Sequence, residues 1–189
     1  MLTKEKLLAI AFLFIISDFF HCNVQDKDIS KMKLFDLNWK FTYGNNILAS
    51  NVDFNDQNWK SIDLPHDWSK DEELRRIIEN QSDSISTEIG WYRKNFEIPQ
   101  NWLDKIILID FEGICDHNEI FVNGTSIFNS KKGNSSFQAV LNPYLNSEGN
   151  NVIAIRVASP IQTDVNLHAE SGIYKHVWLV IKDSSDFKK

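Results

Sequence analysis

Residues 105–124, Lys-Ile-Ile-Leu-Ile-Asp-Phe-Glu-Gly-Ile-Cys-Asp-His-Asn-Glu-Ile-Phe-Val-Asn-Gly, do most to limit what this chain can become. Ile107, Ile109 and Phe111 alternate with Ile106 and Leu108, so a strand here is apolar on both faces. Such a strand must be covered on both sides or lie at the middle of a sheet. A polar connection follows, and residues 119–123 alternate again with Ile120 and Val122 on one face. Asn123-Gly124 then gives the strongest two-residue hairpin signal, because both central positions of a type I′ turn need positive φ. This stretch predicts the centre of an all-β domain.

The rest of the chain agrees. Residues 35–41 alternate apolar and polar, and Tyr43-Gly44-Asn45-Asn46 turns the chain. Residues 54–59 lack strand alternation and predict a short helical turn capped by Asp53 or Asn55. A strand over 62–64 must end at Pro65, which cannot donate to a ladder. Residues 69–89 form a long irregular loop, within which 70–80 are charged and carry Leu74, Ile77 and Ile78 at the spacing of a brief amphipathic helix. Order returns at Gly90, with Tyr92, Phe96 and Ile98 on one strand face. Further strands are predicted over 137–141, 152–157 and 177–181, with turns at Asn142-Pro143 and Gly149-Asn150-Asn151 and a polar loop over 159–171. Short strands at this spacing, without strand–helix alternation, imply an antiparallel sandwich.

At 189 residues there is room for one domain with a small appendage, and an apolar share of 42% suffices for a core. Thirteen Phe and six Trp suit both β-sandwich cores and carbohydrate surfaces, so they do not separate the two. A net charge of −6 without a basic block argues against a nucleic-acid partner. Lys4 and Lys6 precede an apolar run over 7–16, which matches a secretory signal and is too short to span a bilayer. The expected division is therefore a signal over 1–22, a linker over 23–33, the domain over 34–182 and a tail over 183–189. The predicted destination is secreted or periplasmic. Cys22 offers a lipoprotein alternative, although Phe19-Phe20-His21 is a poor approach to a lipidated cysteine. With Cys22 removed, Cys115 is a single thiol with no disulfide framework around it, and reads as a half-buried small residue.

Several motifs occur in a telling order. They are Trp39-Lys40-Phe41, Asp53-Phe54-x-Asp56-x-x-Trp59, Leu64-Pro65-His66-Asp67-Trp68-Ser69, Gly90-Trp91-Tyr92-Arg93-Lys94 and Phe111-Glu112-Gly113. Val122-Asn123-Gly124, Leu141-Asn142-Pro143-Tyr144-Leu145, residues 151–157 and Ser171-Gly172-Ile173-Tyr174-Lys175-His176-Val177-Trp178-Leu179 continue the series. Together they resemble the N-terminal sugar-binding domain of glycoside hydrolase family 2, with secreted bacterial β-galactosidases the nearest in kind. The resemblance covers about residues 34–182 and implies a jelly-roll β-sandwich of the galactose-binding-domain-like type.

It also implies what lies elsewhere. In that family an immunoglobulin-like domain and a (β/α)₈ barrel follow, and the barrel carries two catalytic glutamates for retaining hydrolysis. No catalytic residue is therefore expected in this chain, which reads as a truncated or split member. Asn118-Glu119 is superficially similar to the family's Asn-Glu acid/base pair but enters a hairpin strand, the wrong context. The resemblance places two loops at the active-site mouth, 69–89 and 160–171. Where relatives carry Arg-Trp-Tyr in the second, this chain has Asn166-Leu167-His168, which removes an aromatic platform and a guanidinium. Asn166, His168 and Glu170 remain as groups able to bond sugar hydroxyls. His66 and Asp67 are the other candidates for sugar contact. Their alternative is structural, with Asp67 bonding nearby backbone after Pro65 and Trp68 packing under the loop. Glu112 reads as a strand cap or an acceptor of backbone bonds.

No His/Cys/Asp/Glu set has metal-ligand spacing, and no phosphate loop, nucleophile elbow or dinucleotide fingerprint is present, so neither metal nor cofactor is expected. The expected partners are a β-galactoside-like carbohydrate and the missing or separately encoded catalytic domains. The alternatives are a free carbohydrate-binding module and a structural partner of another catalytic chain. Asn80, Asn123 and Asn134 begin glycosylation sequons, the second of them in a tight turn.

Overall fold

The computed structural model describes residues 31–72, 76, 87–115, 117–130, 136–160 and 170–184. Leu74, Ile77 and Ile78 of the expected helix lie outside them, as do the signal, residues 23–30 and most of the tail.

Twelve strands follow in chain order: β1 (Lys31–Leu34), β2 (Trp39–Tyr43), β3 (Lys60–Ile62), β4 (His66–Asp67), β5 (Thr87–Glu97), β6 (Ile106–Phe111), β7 (Asn118–Val122), β8 (Thr125–Asn129), β9 (Phe137–Val140), β10 (Asn150–Pro160), β11 (Gly172–Ile173) and β12 (Val177–Lys182). They form a six-stranded sheet in the order β3-β2-β5-β10-β7-β8 and a four-stranded sheet in the order β1-β12-β6-β9. The pair β4–β11 stands apart. Every pairing is antiparallel, so the fold is the all-β sandwich that the spacing predicts.

Period-two alternation sets the faces. Tyr92 and Phe96 of β5, Ile153, Ile155 and Val157 of β10, and Ile120 and Val122 of β7 point into the core. They meet Ile107, Ile109 and Phe111 of β6 and Val177, Leu179 and Ile181 of β12. The opposite face of the larger sheet carries a second apolar cluster, in which Trp91, Phe121 and Ala154 pack with Ala49 under Phe54, Trp59 and Ile89.

Residues 105–124 behave differently from expectation. β6 is interior as predicted, between β12 and β9, but β7 belongs to the other sheet. The link between them crosses the sandwich, and the middle of the larger sheet is instead β5 on β10, paired along eleven residues. Gly113 permits the crossing, since a Cβ there would stand 2.6 Å from the Tyr174 ring. The hairpin itself is as predicted, with Asn123 at φ 49° and Gly124 at φ 80°. The Asn123 amide nitrogen donates to Tyr144 O and to Asn151 Oδ1, both at 2.8 Å, so this sequon's nitrogen is turned inward.

The alternation at 35–41 does not form one strand. Among the described residues, β structure is already present at Lys31, inside the expected linker, and Asn38 at φ 61° breaks the chain between β1 and β2. The cause is Asp36, a buried carboxylate at the crossover. Its Oδ1 accepts from Val177 N (2.8 Å), its Oδ2 lies 2.6 Å from His176 Nδ1, and its carbonyl accepts from Leu64 N (3.0 Å). That last bond, with Asp63 accepting from Asn38 N, holds 63–64 out of β3, which ends at Ile62 before Pro65 is reached.

Residues 54–59 form turns rather than a helix. Asn55 Oδ1 accepts from Gln57 N (3.0 Å), while Asp53 caps nothing among the described residues. A buried guanidinium overrides the local preference. Arg93, 1% exposed, donates from Nε to Asp56 Oδ2 (2.9 Å) and from its two terminal nitrogens to the carbonyls of Ala49, Asn51, Val52 and Phe54. Two smaller readings change as well. Cys115 is buried rather than half-buried. Glu112 accepts from Trp178 Nε1 (2.9 Å), a side chain and not backbone.

The Asp36–His176 pair makes stability depend on pH. The Asp36 carboxylate raises the His176 imidazole above the usual histidine value, slight burial opposes this, and Glu112 adds to it. Folding therefore favours the charged imidazole. Its contribution is complete below about pH 6.5 and fades as pH rises through the raised value. His176→Asn should lower Tm most at about pH 6 and progressively less toward pH 8. Melting curves of both proteins across that range check it, and a constant difference would refute it.

Candidate functional site

Thr87 and Pro160 are register partners at the outer end of β5–β10. Thr87 and Pro160, where the described stretches of these two strands end, therefore lie side by side. Both belong to the loops the sequence marks as functional. The short pair β4–β11 joins their roots, with Asp67 opposite Gly172 and His66 opposite Ile173.

Asp67 is the knot. Its Oδ1 accepts from Ser69 N (3.1 Å), Ser69 Oγ (2.7 Å) and Ser171 N (3.0 Å), and Lys70 Nζ sits 3.1 Å from Oδ2. Burial works against its charge, but these bonds outweigh it and hold the carboxyl below its ordinary value. Ser171 returns a carbonyl to Trp68 N (3.1 Å), and its hydroxyl pairs with that of Ser159 at 2.9 Å.

His66 and Trp68 flank the knot. His66 Nδ1 lies 2.8 Å from the Tyr92 hydroxyl, and its ring packs 4.6 Å from Phe41, centroid to centroid. Burial, and after it the charge of Lys60, pushes the imidazole below its usual value, against the opposing pull of Asp71 and Asp67. Trp68 is buried, stacks at 6.1 Å on Tyr92 and packs against Gly90. A Cβ at Gly90 would come within 2.3 Å of the indole. This is the structural alternative for the His-Asp-Trp triplet. Asp67 is saturated by the protein, and His66 serves the tyrosine.

Of the other candidates, Glu170 is exposed beside Ser171, while Asn166 and His168 lie outside the described residues. Sequence reasoning passed over Glu88. Its Oε2 accepts from Trp68 Nε1 (3.0 Å), and burial raises its carboxyl above the ordinary value against that bond. Its charge in turn helps push the phenol of Tyr43 up to about 12, after burial, the larger cause. Only its place just before Ile89-Gly90 could have flagged it.

A raised carboxyl favours the neutral form on folding, so charged Glu88 costs stability above about pH 4.5. Glu88→Gln keeps an acceptor for the indole and removes that charge. It should melt higher than the parent at pH 7, with the gain vanishing near pH 4. A lower Tm at pH 7 would count against this assignment.

Residues 32–183 match the family described as glycosyl hydrolases family 2, sugar binding domain. The chain belongs to this family. A β-galactosidase of Bacteroides ovatus, BoGH2A, is 35% identical over 149 residues, which are 77% of this chain and 17% of that enzyme. A β-glycosidase structure from Bacteroides vulgatus superposes with a TM-score of 0.66 at 32% identity, over 80% of this chain and 20% of the other. The Bacteroides uniformis β-glucuronidase gives 0.67 at 26%, over 80% and 18%. The chain thus spans about a fifth or less of the length of each relative. In this family 2 sugar-binding domain, then, the β4–β11 latch and Trp68 set the roots of the two loops.

Proposed function

We propose that this domain forms one wall of a family 2 glycosidase site and helps it select a neutral, β-galactoside-like terminal sugar. The latch carries the reading, because it ties Asp67, just ahead of the first loop, to Ser171 and Gly172, just behind the second. In this reading Asn166, His168 and Glu170 supply the hydroxyl partners, while His66 and Asp67 act as positioning residues.

The preference for a neutral sugar follows from charge. Relatives include both a β-galactosidase and a β-glucuronidase. A Glu170 carboxylate at the mouth repels a uronate and accepts from hydroxyls of a neutral hexose. Retaining hydrolysis needs two carboxylates about 5 Å apart. Asp67 is held by Ser69, Ser171 and Lys70 and Glu88 by Trp68, so this reading takes neither as acid or nucleophile and assigns both roles to another domain.

The test is amide-resolved NMR of the purified chain titrated with galactose and with glucuronate, alongside nitrophenyl β-galactoside and β-glucuronide assays. Galactose should shift residues 66–71 and 170–173, glucuronate should not, and neither glycoside should turn over. Turnover abolished by one carboxylate substitution would overturn the assignment of catalysis elsewhere. A glucuronate response larger than that of galactose would overturn the sugar class.

A further inference from the structure

On the outer face of the six-stranded sheet, Leu48, Asn51, Val52, Asp53, Phe54 and Gly124 line a concavity of about 510 Å³. It lies beside the β7–β8 hairpin, whereas the latch lies where β10 ends. Between Ile153, opposite Val122, and Pro160 there are seven steps of β10, or roughly 23 Å of strand. The concavity is therefore separate from the latch at the described roots of the two loops.

The concavity is built to hold its shape. Arg93 gathers the carbonyls of Ala49, Asn51, Val52 and Phe54 from beneath, and Asp56 balances its charge. Local bonds finish the segment: Asn46 Oδ1 accepts from Leu48 N, Ser50 Oγ donates to Ile47 O, and Phe54 N donates to Asn51 O. The backbone polar groups are turned down or inward, and the side chains are left to face the opening. Asn51 and Asp53 are exposed, and among the described residues no bond engages their side-chain ends. Leu48 is 59% exposed and Val52 42%, large values for aliphatic side chains that flank a pocket.

The lining chooses its ligand class. An apolar protein segment seated here would bury the Asp53 carboxylate and the Asn51 amide without partners, at a cost of several kcal/mol. No Lys or Arg lines the opening, so an anion meets only the repulsion of Asp53. One carboxylate with one amide is too few donors for a cation cage. A neutral sugar satisfies every feature. Its hydroxyls bond the amide and the carboxylate, its C–H face lies on Leu48, Val52 and Phe54, and the volume suits one or two hexose rings. Gly124, bare of a side chain, leaves the hairpin side open. We propose that this concavity is a second carbohydrate site, which grips a neutral unit of a glycan chain away from the loop mouth.

The experiment titrates the intact chain with lactose and cellobiose, and with glucuronate as the anionic control, following amide shifts. Neutral disaccharides should shift residues 47–54 and 123–125 with a Kd on the order of millimolar, as suits a small contact. Glucuronate should leave them still. Asp53→Ala and Asn51→Ala replace exposed residues, should leave Tm unchanged, and should each weaken binding at these residues at least fivefold. Shifts confined to the loop mouth, or no shift at these residues, would overturn the site. Concentration-dependent shifts of 47–54 without sugar would overturn it in favour of self-association through this face.

Discussion

Gly172→Ala should lower stability by about 3 kcal/mol or more, a fall in Tm of roughly 6–12 °C. Two independent effects add. Gly172 sits at φ +103°, where a residue with a Cβ is strained whatever surrounds it. The added carbon would also stand 2.4 Å from the Tyr92 hydroxyl, 2.6 Å from the His66 carbonyl and 3.2 Å from Trp68. None of these neighbours can yield easily, since the carbonyl is backbone and both rings are buried. Gly149→Ala separates the two effects. That glycine has φ +87° with nothing within 4 Å of its missing Cβ, so it bears the strain without the collision. Its loss should be about 1 kcal/mol. Equal losses at the two positions would show that the close approach to His66 and Tyr92 contributes nothing. Amide shifts of Asp67 and Ser171 should change in Gly172→Ala even where the protein remains folded.

Removal of the Arg93 guanidinium should be the other severe lesion. Arg93→Met leaves four carbonyls and the Asp56 carboxylate without their donor, a loss of about 3–5 kcal/mol in urea denaturation. Arg93→Lys should recover little, because one ammonium group cannot reproduce a planar fork of donors. Part of the penalty is the stranded charge. Asp56→Asn in the Arg93→Met background should therefore be less harmful than in the parent, with a coupling of about 1 kcal/mol or more. A cycle that closes without coupling would mean the carboxylate is served by water and the carbonyls alone matter.

Much of the sandwich was legible because alternation and turn chemistry are local. Tyr92, Phe96 and Ile98 on one face, the Asn123-Gly124 hairpin and the strand that begins at Val177 all follow from residues close in sequence. What could not be read is long-range. Asp36 looks like an ordinary polar position in an alternating run, and its buried role depends on His176 and Val177, some 140 residues on. Arg93 likewise reads as one more polar residue of a strand, although it dictates the turns of residues 49–56. Residues 105–124 look like the centre of one domain because nothing local shows that Gly113 faces a tyrosine from a distant segment. At the site, the Pro-His-Asp-Trp and Ser-Gly-Ile-Tyr motifs were visible separately. Their contact was not, and Glu88 carried no signal beyond its neighbours.

The pairing of Asp67 with Ser171 spans 104 residues of chain. Closing so long a loop from an unfolded chain would cost about 4 kcal/mol in entropy before any bond is made. Once β5 and β10 have zipped to Thr87 and Pro160, only about 30 residues separate the same two points, and the cost falls by about 1 kcal/mol. The latch should therefore form late, on a sheet that already exists. Changes within it belong to the descent after the folding barrier, so they should speed unfolding and leave the folding rate nearly untouched. Evolution or design can then alter what the two loops present without interfering with how the sandwich is first made.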